Sequence, residues 1–230
     1  KLDFVIDRPT LEGINANAHL LAKIAVERIR VELEKMFLGQ NPPAGLKDFL
    51  ETGLYQYCPG LKAARQQLGL LLVNGNGWAL TNVDQVWALL AVQLGLSGKQ
   101  AAKFLRTWKT SNETIRQVGK IILAVNALRQ KQVTPDLMFT VGWPALSDAN
   151  QVAAVYGWQQ AAASLKKQYD ELPIKTAKEL AVDGRTLIQE AGLKPGPALG
   201  KVLNTLVEDV VNGRLANDKA ELLQRAAILG

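Results

Sequence analysis

Between Lys99 and Lys131 the chain carries eight basic side chains, Lys99, Lys103, Arg106, Lys109, Arg116, Lys120, Arg129 and Lys131, against a single acid, Glu113. Such a run of cations is an electrostatic footprint for a polyanion. A second constellation lies at residues 183–211, DGRTLIQEAGLKPGPALGKVLNTLVEDVV, where Gly192, Gly196 and Pro197 separate two helical patterns and Lys194 and Lys201 bracket the turn. A glycine-rich approach to a helix presents unpaired backbone N–H groups to an anion, which makes Lys194, Gly196 and Lys201 candidate phosphate ligands. The competing reading of the same turn is structural, the glycines serving only to let two helices approach closely.

The elements that must position these groups are helical. Nearly every segment repeats its apolar residues at 3.6-residue spacing and β-alternation is scarce, so the chain reads as all-α. Ser97 caps a helix whose apolar side is Ala101, Phe104, Leu105 and Trp108. At about 100° per residue, Lys99, Lys103, Arg106 and Lys109 project within roughly 120° of one another on its other side. Thr110 to Glu113 has the form of a capping box for the next helix, which carries Arg116 and Lys120 a turn apart. In the second constellation Gly192 stands where a helix stops in the left-handed conformation, and Pro197 suits a first helical turn. Leu199, Val202, Leu203, Leu206, Val207, Val210 and Val211 then form a buried stripe.

The remaining segments read in the same way. Thr10 is expected to cap a helix through Ile14, Ala18 and Leu21, and residues 26–38 form a helix with Val26, Ile29, Leu33, Met36 and Phe37 inside and alternating charges outside. Residues 39–45, GQNPPAG, break helicity and mark a domain boundary. Helices follow at 46–54 and 61–73, a loop at 74–77, and a core segment of Trp78, Val83, Val86, Trp87, Leu90 and Leu94. Thr134-Pro135 opens a segment and Gly142-Trp143-Pro144 a turn. A long helix is expected from Ser147 to Glu171, a capping box at 176–179, and a last helix capped by Asn217. Three regions result: residues 1–41; a basic helical body, 42–130, with ten Lys and Arg against four Asp and Glu; and a helical tail, 131–230, charge-balanced like the first.

Composition excludes several functional classes. One histidine, His19, argues against histidine metal clusters, and it lies beside an apolar helix face as a packed or surface residue. One cysteine, Cys58, forms no internal disulfide and sits by a Pro-Gly turn without a basic partner, which fits an ordinary residue in a reducing cytoplasm. No stretch reaches the apolar length of a membrane span, and the first ten residues have no signal-peptide layout. Gly75 and Gly77 form only a GxG, short of a dinucleotide fingerprint. No metal-ligand or catalytic constellation is found. Lys at position 1, in place of Met, is compatible with a piece of a longer chain.

Two blocks carry a family resemblance. Residues 26–39, VERIRVELEKMFLG, resemble the last neck motif, of ERIRxExxKxL type, of the bacterial tRNA nucleotidyltransferases, the CCA-adding enzymes related to bacterial poly(A) polymerases. Residues 183–223 resemble that family's tail signature, and the lead-in LDFVIDRPTLEGINANAHLLAKI resembles the segment after its nucleotide-recognition helix. The resemblance implies the all-α neck, body and tail of such an enzyme, with 1–41 the end of the neck. It implies a catalytic α/β head and a nucleotide-selecting motif that are absent, since neither a GxxxxD-x-D stretch nor an EDxxR-like motif occurs in these residues.

On that reading Glu27, Arg28 and Arg30 support the nucleotide site structurally, and Ala25 stands where the family frequently has Ser, which weakens a cap. Lys99, Lys103, Arg106, Lys109, Arg116 and Lys120, with Lys194, Gly196 and Lys201, hold the acceptor stem and T-arm of tRNA through phosphates, because A-form RNA hides its base edges. Ala198 replaces the third residue of a Gly-Pro-Gly turn, with Gly200 following. The parent would add C, C and A to a tRNA 3′ end from CTP and ATP with Mg²⁺, and this chain alone, without cofactors, would be inactive. Homodimerisation stays open. So do two other classes: a nonspecific DNA-binding helix-hairpin-helix module and a helical protein-interaction scaffold.

Overall fold

The computed structural model describes residues 6–75 and 78–230. Among them every regular element is helical, as the periodicity requires. The chain forms two compact units, one holding residues up to Gln132 together with Pro144–Gln160, the other Val133–Trp143 together with Ala161–Gly230.

The first unit opens with α1 (Arg8–Asn17) and a short 3₁₀ turn, Ala18–Lys23. Asp7, not Thr10, caps α1: its carboxylate accepts from the Thr10 N–H at 3.0 Å and the Thr10 hydroxyl at 2.8 Å. α2 (Val26–Phe37) starts at Ala25 without a side-chain cap, and Leu33 and Phe37 are buried on the expected stripe. α3 (Pro42–Glu51) begins earlier than the break at 39–45 implied. Asn41 accepts from the Ala44 N–H at 3.2 Å, and the two prolines read as breakers occupy the first turn, where a missing N–H costs nothing. Gly45 packs so closely on α2 that a Cβ there would sit 2.6 Å from Cγ of Met36.

α4 (Arg65–Asn74) starts four residues later than the apolar run at 61–73 suggested, because residues 61–63 form turns. The expected loop at 74–77 and its Gly77 fall partly outside the described residues, as do residues 2–5 of the lead-in. α5 (Val83–Gln93) is buried continuously from Gln85 to Ala91. Val83, expected in the core, is 37% exposed at its first position, and Trp78 is half-buried, stacked on Phe37 with ring centroids 6.2 Å apart. α6 (Gly98–Thr107) reaches α5 through Phe104 against Trp87, and α7 (Asn112–Gln130) packs on both α5 and α6. The cap of α7 is Ser111, whose Oγ accepts from the Thr114 N–H at 3.0 Å; Thr110 instead donates to the Leu105 carbonyl, and Glu113 turns to Arg116 and Gln117.

α8 (Pro135–Val155) is broken at Gly142, and the single helix expected from Ser147 to Glu171 is two. Asn150 takes both main-chain groups of Gln160, at 2.9 and 3.0 Å, and folds residues 156–161 back before α9 (Ala162–Asp170) begins. In the second unit residues 177–179 form a 3₁₀ turn, not an α-helix, and the expected box does not close: the Thr176 hydroxyl caps no N–H and donates to Oε1 of Glu179 at 3.1 Å, while Oε2 of Glu179 accepts from the Lys175 N–H at 2.9 Å. α10 (Gly184–Glu190), α11 (Pro197–Val211) and α12 (Lys219–Leu229) enclose a core of Leu187, Val202, Leu206, Val210, Leu222 and Ala226. Asp218 caps α12. Asn217, expected in that role, ties the chain at Ala181 and Glu179 through two 2.8 Å hydrogen bonds. Asp209, 5% exposed, accepts from Arg225 Nε at 3.0 Å and faces Arg214 at 3.6 Å.

The start of α5 is fixed to α8 by a polar cluster. Asp148 Oδ1 accepts from Asn82 at 3.0 Å and from Gln85 at 2.6 Å, and Gln85 in turn accepts from the Thr81 N–H at 2.7 Å. Burial raises the carboxyl of the half-buried Asp84 above its ordinary 3.8, and the charge of Asp148 adds to it. A carboxyl shifted upward on folding removes stability as pH rises through the window above its unfolded pKa. Asp84→Asn, which cannot ionise, is therefore expected to raise the thermal midpoint at pH 7. The gain should shrink as pH falls below the ordinary carboxylate range, as followed by circular dichroism melts across pH.

Candidate nucleic-acid interface

α6 is built to expose a cationic side. Ser97 and Gln100 form a reciprocal capping box that fixes its start, and Ala101, Phe104 and Leu105 bury the opposite face. Lys99, Lys103 and Arg106 are exposed on the solvent side, and α6 contains no acidic residue. Lys109 does not share that side as the helical angle implied. α6 ends at Thr107, and Lys109 takes φ +53°, with Nζ 3.0 Å from Oε1 of Glu27. On α7, Arg116 is held by both oxygens of Glu113 at 2.8 and 2.6 Å, and Lys120 is half-buried. Two of the eight cations between Lys99 and Lys131 are thus engaged by carboxylates among the described residues.

The charged face of α2 does more than solvate a helix. Arg30 donates to the main-chain carbonyls of Trp108, at 3.3 Å, and of Lys109, where α6 has run out of its own donors. Its Nε lies 3.7 Å from Oε1 of Glu34, and both side chains are mostly covered. The same Glu34 oxygen accepts from Nε1 of Trp87 at 2.7 Å, and Trp87 is wedged against Trp108 and Phe104 with ring centroids 5.1 and 6.0 Å away. Glu27 is kept below its ordinary value by its own backbone N–H and by Lys109. Glu27 and Arg30 therefore fasten α2 to the end of the basic helix. Arg28 is apart from this brace and lines an apolar cavity of about 420 Å³ with Ile14, Ile24, Ile29 and Phe49. The Trp87–Glu34 contact, 53 residues apart, is the part that helical periodicity did not reveal.

In the second unit the turn has the predicted form. Gly192 takes φ +68°, the Ala191 and Leu193 N–H groups both return to the Leu187 carbonyl at 3.2 Å, and α10 stops. Gly196, at φ +147°, sets Pro197 as the first residue of α11, which has no side-chain cap. Lys194 and Lys201 are exposed on either side of it. Pro197 brings no N–H and the Leu199 N–H is taken by the Gly196 carbonyl at 3.1 Å, so the uncapped turn offers an anion the Ala198 N–H beside two lysines. The turn residues belong to the second unit and the cations of α6 and α7 to the first.

Burial pushes the Cys58 thiol up to about 12, and His19 lies exposed with Nδ1 3.2 Å from the Ala16 carbonyl. Among the described residues no three His, Cys, Asp or Glu side chains group as metal ligands, and Asp148 already serves Asn82 and Gln85. These residues do not fit a metal ion.

Residues 78–226 match the family described as "tRNA nucleotidyltransferase domain 2 putative". The chain belongs to the tRNA nucleotidyltransferase family. Residues 3–65 match a second description, "Probable RNA and SrmB-binding site of polymerase A". This nucleotidyltransferase chain is 59% identical over 225 residues to the CCA-adding enzyme of Limosilactobacillus reuteri, covering 98% of itself and 56% of that relative. It is 44% identical over 229 residues to the CCA-adding enzyme of Limosilactobacillus fermentum, again across 56% of the relative. It superposes on the Bacillus stearothermophilus CCA-adding enzyme, solved in complex with CTP, with a TM-score of 0.87 at 32% identity, covering 98% of this chain and 57% of that one. The chain spans about half the length of the curated relatives it matches.

The α2 brace separates a buried from an exposed contribution. Glu34→Ala leaves the Trp87 N–H without an acceptor in the core and should lower the unfolding free energy by about 2 kcal/mol. Glu27→Ala, which removes an exposed pair, should lower the urea midpoint by much less than Glu34→Ala does. Equilibrium urea unfolding of the two variants beside the parent checks both.

Proposed function

We propose that this chain is the tRNA-holding region of a CCA-adding enzyme, its basic helices gripping the acceptor stem and T-arm through phosphates. The reading is carried by one observation: an acid-free exposed face on α6, capped at one end and braced at the other, in a chain of this family. Lys99, Lys103 and Arg106 meet the backbone directly, and Lys120 extends the contact along α7. Lys109 and Arg116, already paired, contribute chiefly by holding the surface in shape. Lys194 and Lys201 with the Ala198 N–H take a further phosphate. Because A-form RNA offers phosphates and ribose hydroxyls more readily than base edges, such a surface reads shape.

Nucleotidyl transfer to the tRNA 3′ end, with CTP, ATP and Mg²⁺, belongs to the complete enzyme. Activating a 3′ hydroxyl needs carboxylate-held metal ions, which the residues here do not fit, and the chain by itself is expected to incorporate no nucleotide. Glu27 and Arg30 serve the nucleotide site at a distance, through the position of α2.

Binding to whole tRNA, to an acceptor-plus-T-arm minihelix and to duplex DNA of equal length, at two salt concentrations, tests the assignment. Equal affinity for the two RNAs, weaker DNA binding and a steep salt dependence are expected. Lys103→Gln with Arg106→Gln should weaken RNA binding and reduce the log–log salt slope by about one for each phosphate contact removed. Equal affinity for DNA would favour a nonspecific hairpin module, and no binding at low salt a protein-interaction scaffold.

A further inference from the structure

Arg129, in the last turn of α7, is exposed and has no carboxylate partner among the described residues. Its guanidinium lies over Trp158, Cζ 5.1 Å from the ring centroid. Trp158 is stacked on Tyr156, with ring centroids 4.3 Å apart and planes 12° from parallel. The Tyr156 hydroxyl donates to Oε1 of Gln93 at 3.0 Å, and the Gln93 amide donates to the main-chain carbonyl of Gln67. All five residues lie in the first unit. The guanidinium is thus the outer end of a ladder of fixed groups that reaches back through α5 to α4. Lys131, exposed at φ +56°, follows two residues later.

A guanidinium that rests its flat face on an aromatic ring keeps its N–H edge free, and that edge matches two oxygens of a phosphate. Stacking also removes much of the side-chain freedom that an exposed lysine must lose on binding. A carboxylate would quench such a group, and none is paired with it here. We infer that Arg129 is a preorganised phosphate ligand for an RNA backbone, carrying the RNA-contacting surface past α6 to the C-terminal end of α7. The inference presupposes that the chain holds RNA, so its test needs a variant at each place.

The probe is the acceptor-plus-T-arm minihelix, titrated at several salt concentrations against the whole chain. Arg129→Met keeps an aliphatic cover on Trp158 and removes the charge. It is expected to weaken binding roughly fivefold and to lower the log–log salt slope by about one, with the unfolding temperature unchanged. Arg129→Lys should recover the slope and only part of the affinity, having charge without the planar fork. Unchanged binding by Arg129→Met, while Lys103→Gln/Arg106→Gln binds more weakly, overturns the role of Arg129 alone. Unchanged binding in both overturns the RNA-holding reading and Arg129 with it. A loss of affinity that comes with a lower unfolding temperature and is not rescued by lysine assigns Arg129 to packing on Trp158, which also overturns it.

Discussion

The first unit depends on one buried hydrogen bond, from the indole N–H of Trp87 to the carboxylate of Glu34. Trp87 is fully enclosed. A donor so placed must find an acceptor or sacrifice most of what burying the ring contributes. The acceptor is a carboxylate, and covering a carboxylate is costly unless a cation answers it. Arg30 does so from the preceding turn of the same helix, and its remaining N–H groups close the carbonyl end of α6. Packing of an aromatic in α5 therefore dictates the charge pattern of α2, and that pattern dictates where the basic helix ends.

The same chain of constraint bears on electrostatics. The net charge of +6 resides in residues 42–130, yet three of the cations counted there, Lys47, Lys109 and Arg116, face carboxylates. What stays available is concentrated on α6, where one face is apolar and buried and the other has no acid. Desolvating α6 on the Trp87 side and leaving it bare on the other sets a row of charges on a fixed helical backbone. Charges carried on a packed helix have less backbone freedom to lose on meeting a phosphate than charges on mobile loops do.

How much of this was legible in the sequence follows from the range of each interaction. The α11 stripe, the Gly192 stop, Pro197 and the Ser97 cap were all readable, since each is settled within about one helical turn of its own residue. Three members of the basic row, Lys99, Lys103 and Arg106, were readable for the same reason, and Lys109 was not, because the helix ends before it. The cap assignments that moved, Thr10 to Asp7, Thr110 to Ser111 and Asn217 to Asp218, moved by one to three positions because neighbouring polar residues compete for the same N–H groups. Asn217 lost that competition to a longer-range task, the backbone at Glu179 and Ala181. The expected helix from Ser147 failed at Asn150–Gln160, and the Glu34–Trp87 bond was missed, because both are made by side chains that only the fold brings together.

Family resemblance and physical reading supply different things. The resemblance singled out Glu27, Arg28 and Arg30 as one motif, and nothing in the motif itself separates them. The structure does: Glu27 and Arg30 point their charge at the end of α6, while Arg28 lines the cavity on the other side of α2. Residues one apart on a helix face different directions, so a contiguous motif can serve two surfaces at once. A motif of this kind joins the elements on both its sides, and its charges must satisfy both. That double demand explains an alternation of sign along α2 that solvation alone would not require.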